Sequence, residues 1–140
     1  MLDGMYADFS SALPPAWTSP TAQIDVVEAV PFKADSAFEN AREIDGKIAL
    51  VLRGTVPYRE KVERASEAGA AGVVVVNTSD TLEIMTDKEG VYKSEVPVLM
   101  IKSSDAARLR EHGSALIRDE GKNDQYTCRW VLSRGRIPRG

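Results

Sequence analysis

Few side chains in this 140-residue chain stand where they could do chemistry, and each has an ordinary structural reading beside the functional one. His112 is the single histidine, so a zinc site or a Ser-His-Asp triad would have to be built around it. It directly precedes Gly113 at the end of a helix-like stretch, where an imidazolium complements the helix dipole. Cys128 is the single cysteine, which rules out an internal disulfide and a thiolate metal cluster. It lies in Tyr126–Leu132, where alternation puts Tyr126, Cys128, Trp130 and Leu132 on one strand face, as an inert packed thiol would be. Glu83, Asp87, Glu89 and Glu95 are interleaved with Lys88 and Lys93, without the spacing of a calcium loop. They read as a solvated, mobile charge run. Asn77-Thr78-Ser79 is an N-glycosylation sequon, a tripeptide that also arises by chance. Arg53 opens a turn directly after an apolar run. It either pairs with a carboxylate at the core edge or projects its guanidinium fork to a partner's carboxylate or carbonyl. Both readings stand on the sequence.

The elements that would position Arg53 are well marked. Ile48–Leu52 is a continuous apolar run, as expected of a strand covered on both faces, and 73–76 and 98–101 read alike. Between the first two, Pro57 suits a first helical position with Thr55 or Val56 as cap. Tyr58, Val62 and Ala65 then fall on one stripe, with Arg59, Glu60, Glu63, Arg64 and Glu67 turned to water. Gly69 provides a left-handed stop and Gly72 a close helix–sheet approach. Strand, helix and strand together have the size of a parallel βαβ unit. Its turn, Arg53-Gly54-Thr55-Val56-Pro57, has one glycine and a proline lacking an N–H, so a dinucleotide phosphate has no cradle there.

Around this unit, 23–30 alternates as a strand and 31–43 is a loop or a short helical turn about Phe38. A second helix starts after Ser103 or Ser104, with Asp105 in its first turn and Gly113 as its stop. Two further strands follow at 114–118 and 126–132. The stretch 77–96 has weak periodicity, and loops of that length in compact domains are usually functional or mobile. Residues 1–22, with Pro14, Pro15 and Pro20 around Trp17, read as an irregular arm, 23–135 as one domain, and 136–140 as a tail or the start of a linker. Exposed Tyr6, Phe9, Leu13 and Trp17 on that arm would favour a homodimer.

Composition narrows the function classes. Hydrophobic residues make up 43% and charged ones 28%, the balance of a globular domain. A net charge of −3 with interspersed signs gives no field for nucleic acid. No apolar run is long enough to insert in a bilayer, and no signal peptide opens the chain.

These residues resemble the protease-associated (PA) domain family. The resemblance is carried by Gly46-Lys47-Ile48-Ala49-Leu50-Val51, Arg53-Gly54, Tyr58, Lys61, Ala68-Gly69-Ala70, Gly72-Val73 and Asn77. It continues in Val96-Pro97-Val98 through Met100-Ile101 to Ser104, and upstream in Val30-Pro31 with Ala34 and Ser36. The match covers about Ile44 to Ile117, and the upstream residues fit the loop that usually precedes it. It implies an α/β fold of the β/β/α PA type, an open barrel-like mixed sheet flanked by two helices. It also implies a non-catalytic module that recognises protein or peptide ligands, or serves as an accessory lid of a larger peptidase, with no cofactor and no metal. In sorting receptors of the family the Arg-Gly turn lies near the cargo surface. The ligand-binding residues implied here are Arg53, Gly54, Thr55, Tyr58, Asn77 and Thr78.

One departure from the family is visible. Many secreted members carry a cysteine after the Arg-Gly pair and another in the preceding loop, where this chain has Thr55 and Ser36 or a neighbour. The resemblance points to an endomembrane lumen. The lack of a signal peptide and of paired cysteines points to the cytoplasm. A self-contained hydrolase using His112 remains as the contrasting reading.

Overall fold

A computed structural model describes residues 2–12, 14, 24–118 and 127–134, with backbone alone for residues 2, 24, 112–118 and 127–134. Along the chain run β1 (Leu2–Tyr6), β2 (Ile24–Glu28), α1 (Ala41–Ile44), β3 (Ile48–Leu52), α2 (Tyr58–Glu67) and β4 (Gly72–Val76). Then come β5 (Val98–Ile101), a 3-10 turn (Ser103–Asp105), α3 (Ala106–His112), β6 (Gly113–Arg118) and β7 (Thr127–Arg134).

The apolar runs become strands because both of their faces are covered. Ile48, Leu50, Val74, Val76, Leu99 and Ile101 pack on one face with Tyr6 and with Ala106 and Leu109 of α3. Ala49, Val51, Val73, Val75, Val98 and Met100 pack on the other, against Val62 and Ala65 of α2, Ile44 of α1 and Met85. A strand buried on both sides needs no polar alternation, which is why these segments read as uninterrupted valines and leucines. β2–β3, β3–β4 and β4–β5 pair in parallel, with Leu50 opposite Val74 and Val74 opposite Leu99. The β3–α2–β4 unit is the expected parallel crossover.

The mixed α/β sheet goes further than an open barrel-like one. Among the described residues it closes in the order β1-β5-β4-β3-β2-β6-β7, through the antiparallel β1–β7 and β1–β5 pairs. The strand that closes it lies in the segment expected to be an irregular arm. Leu-Asp-Gly-Met-Tyr carries no strand pattern of its own, and its extended form comes from two neighbouring strands. Tyr6 and Phe9 are buried in the core rather than exposed, so they offer no surface for self-association. Leu13, Pro15, Trp17 and Pro20 lie outside the described residues.

Other boundaries shift for local reasons. Pro57 is the N-cap of α2 rather than its first residue: its extended ψ of 153° sets it outside, while its carbonyl accepts from Glu60 and Lys61. Of the α2 residues expected in water, Arg64 is half-buried and donates to the Ala34 carbonyl (2.7 Å) and to Glu60 (2.8 Å). Gly69 takes the expected left-handed φ of +86°. The helix expected after Ser103 begins as the 3-10 turn, continues as α3 and ends at His112 with Gly113 already in β6. The side chains of His112, Cys128, Trp130 and Leu132, and all of Tyr126, are outside the described residues.

Candidate functional site

The parallel strands β3 and β4 end on the same side of the barrel, and the residues just beyond them build one cluster. Arg53 follows β3 and Asn77 follows β4. Their backbone N–H groups continue the ladder, Arg53 to the Val76 carbonyl (3.0 Å) and Asn77 to the Ile101 carbonyl (2.9 Å). The side chains that leave this rim are therefore aimed by rigid strands, the position where α/β sheets commonly carry their ligand sites.

Asn77 is fully buried. Its carbonyl oxygen accepts from Arg53 Nη1 (2.9 Å) and from the Thr78 N–H (2.8 Å), and its Nδ2 donates to the Thr81 carbonyl (2.9 Å). Burial and full pairing make this amide a structural tie, and they remove Asn77 from the glycosylation chemistry its sequon allows. Arg53 Nη1 also forms an ion pair with Glu83 Oε1 at 2.6 Å, and the guanidinium carbon stands 5.9 Å from the Tyr58 ring centroid. Glu83 is thus engaged rather than part of a free charge run. The loop that carries it has no helix or strand, yet Met85 is buried in the core and Leu82 and Tyr92 pack against it.

The turn after Arg53 is bent sharply. Gly54 has φ +112° and Thr55 φ +73°. Glycine takes that region freely, whereas threonine does so at a cost on the order of 1 kcal/mol. The turn is held from beneath by Lys61, whose side chain is fully buried. Its Nζ donates to the Gly54 carbonyl at 2.6 Å and to the Lys33 carbonyl, joining two loops to α2. Removal from water lowers the Lys61 pKa to about 8, with Lys33 and Arg64 pushing the same way and Asp35 and Glu60 opposing. Among the described residues the N–H groups of Gly54 and Thr55 have no hydrogen-bond acceptor.

Between the 53–57 turn, the exposed side of α2 and residues 86–89 lies an open cleft of about 940 Å³. Its walls carry both signs of charge. Arg59 pairs with Glu63 (2.7 Å) and stacks 4.9 Å from the Tyr92 ring centroid, and Arg64 pairs with Glu60. Tyr58 lines the cleft, and its hydroxyl is buried without a hydrogen-bond partner among the described residues. Burial raises the pKa of that phenol, against the lowering effect of Arg53.

Of the six residues singled out in the sequence, Arg53, Gly54, Thr55 and Tyr58 line this cleft, and Asn77 stands behind Arg53 as its acceptor. Thr78 contributes its backbone N–H to Asn77 while its side chain is exposed. Sequence reasoning missed Lys61 and Glu83. Lys61 had a signal: it stands three residues after Tyr58 and one before Val62, on the inward stripe of α2.

The family model of the PA domain matches residues 18–109. The chain belongs to the PA domain family. Signal peptide peptidase-like 3 of Arabidopsis thaliana is 33% identical over 116 residues, covering 79% of this chain and 20% of the plant protein. Aminopeptidase YwaD of Bacillus subtilis is 37% identical over 73 residues, covering 52% of this chain and 16% of the enzyme. This PA domain thus spans a fifth or less of those curated relatives. The solved structure of BSAP, a zinc aminopeptidase from Bacillus subtilis, shares the fold. Its TM-score is 0.62 at 22% identity, over 94% of this chain and 28% of the aminopeptidase chain.

Proposed function

We propose that this PA domain is a recognition module without chemistry of its own, which holds a protein or peptide ligand in the cleft beside the Arg53 turn. The observation that carries this reading is the arrangement at the cleft rim. A half-exposed guanidinium is aimed by a buried amide, next to two N–H groups in a turn bent at energetic cost. Strained backbone at a cleft is where such cost is expected to serve binding. The guanidinium supplies charge-assisted hydrogen bonds to a ligand oxygen, and the N–H groups of Gly54 and Thr55 add to them. Every strand has two neighbours in the closed barrel, so among the described residues no sheet edge is left for an added strand. Recognition therefore runs through side chains and the turn.

The test is binding of the domain to a diverse peptide library with and without Arg53→Ala. Saturable binding that weakens at least about tenfold in the variant, with the far-ultraviolet spectrum unchanged, supports the site. Equal affinity in both proteins removes it.

A second reading has support in the relatives, several of which are named as peptidases and are five or more times longer than the matched segment. There the module would be an accessory lid over a catalytic domain in the same polypeptide. Sequencing the reading frame on both sides of these 140 codons decides between a peptidase domain and none.

A further inference from the structure

Arg53 has two partners of different kinds, and the difference matters for what can bind. Asn77 is buried and tied on all sides, so it holds the guanidinium permanently from below. Glu83 reaches the same Nη1 from the solvent side, and its side chain is 48% exposed. It sits on a short span between two anchors. Thr81 is held by the Asn77 amide, and Met85 is buried with its carbonyl accepting from Asp8 (3.0 Å). A rotation of the Glu83 side chain therefore frees one N–H of Nη1, the other staying on Asn77, with no need for the loop to open.

We propose that Glu83 is an internal competitor, whose carboxylate occupies the Arg53 guanidinium until a ligand carboxylate takes its place. The proposal rests on the reading of Arg53 as the cation that faces the ligand, and it names the ligand class. A neutral carbonyl or hydroxyl that displaced Glu83 would still accept a charge-assisted hydrogen bond from the guanidinium, but the attraction between opposite charges would be lost. Among the groups of an unmodified peptide only another carboxylate makes the exchange even, leaving the rest of the cleft contacts as net gain. The ligand is accordingly a peptide presenting a carboxylate, either its C-terminus or an acidic side chain.

The two sources are separated by one peptide library prepared in matched forms. One pair differs by a free or amidated C-terminus, and the other by internal Glu or Gln. Each form is titrated against the full chain and its Glu83→Gln and Arg53→Ala variants. Gln keeps the shape and an acceptor oxygen but not the charge. Carboxylate-bearing peptides should bind Glu83→Gln about two- to fivefold tighter, the range an exposed ion pair is worth. Their uncharged counterparts should bind both proteins more weakly than the carboxylate forms, and the pair that shows this difference identifies the source. If Glu83→Gln binds the carboxylate forms equally or more weakly while Arg53→Ala loses them, the competitor role is overturned and the site reading stands. If Arg53→Ala binds like the parent, the site reading falls and takes the proposal with it. Failure of every form to bind both the parent and Glu83→Gln overturns the two together.

Discussion

Lys61 offers the sharpest test of how the turn is held, because its protonation can be changed without touching a contact. Its ammonium is buried and donates to carbonyls from two loops. A lysine pKa that falls from 10.5 to about 8 on folding corresponds to roughly 3 kcal/mol of penalty on the charged form. The sign follows from proton counting. Between pH 8 and 10.5 the unfolded chain keeps a proton that the folded chain gives up, so unfolding free energy rises with pH through that window. The neutral amine retains two N–H donors and can keep both carbonyls paired. Below pH 8 the full penalty applies.

The perturbation that isolates this is Lys61→Met, similar in length and unable to titrate or donate. It leaves the Lys33 carbonyl unpaired, at about 1–3 kcal/mol, and takes one of two donors from the Gly54 carbonyl, which keeps the Val56 N–H at 2.9 Å, at about 1 kcal/mol. It also relieves the roughly 3 kcal/mol of burying the charge. At pH 7 these nearly offset, so the variant should lie within about 2 kcal/mol of the parent. As pH rises to 10.5 the relief vanishes, and the gap to the parent should widen by up to about 3 kcal/mol. The measurement is urea unfolding followed by far-ultraviolet circular dichroism at half-unit pH steps, taken as parent minus variant. Tyr58 and Tyr92 titrate above their usual value in the fold because they are buried, which lowers stability above pH 10. That effect is common to both proteins and cancels in the difference. A difference that stays flat between pH 8 and 10.5 would refute the argument, since it would mean that Lys61 titrates in the fold as it does in water.

Two further outcomes follow from the packing. Gly69→Ala would place a Cβ 2.2 Å from Asp45 Oδ1 at a φ of +86°, and should cost about 1–3 kcal/mol in urea unfolding. Adding Asp45→Ala should recover the clash but leave about 1 kcal/mol of backbone strain; full recovery would show that strain is absent. Tyr58→Phe removes a buried hydroxyl without a partner among the described residues, and should be neutral or stabilising by up to about 1 kcal/mol. A loss beyond 1 kcal/mol would show the hydroxyl to be paired.

The parts of this fold that were legible in the sequence are those whose burial leaves a local trace. Ile48–Leu52 and Val73–Val76 announce doubly covered strands, and Tyr58, Val62 and Ala65 announce the packed stripe of α2. β1 left no such trace, because Asp3 and Gly4 are extended by pairing with β5 and β7 rather than by preference. The site was half legible for a related reason. Arg53 was marked by its place after a buried strand. The acceptor that aims it lies 24 residues away, and its competitor Glu83 lies in a loop whose charges look solvated one by one. The sequon at Asn77 carries no mark of burial, yet tertiary contacts bury that residue completely. Pairings across such distances are set by where the strands end, which only the closed barrel determines.

That closure also explains why the adjustable part of the site is confined to one loop. Each barrel strand spends its backbone groups on its neighbours, so ligand contacts fall to what projects from the rim. Arg53 and Asn77 inherit the rigidity of β3 and β4 through ladder bonds that continue past the strand ends. The turn that follows is bent into a region costly for Thr55 and is closed across that residue by the Val56 N–H on the Gly54 carbonyl (2.9 Å). The Lys61 ammonium fixes the closed turn to the body of the domain, by drawing the same Gly54 carbonyl down towards α2. Buried cation and strained turn are thus one device, in which a charge held out of water fixes the backbone donors beside Arg53. Glu83 stands outside that device, on a half-exposed side chain, and is the one partner of Arg53 that can leave without disturbing it.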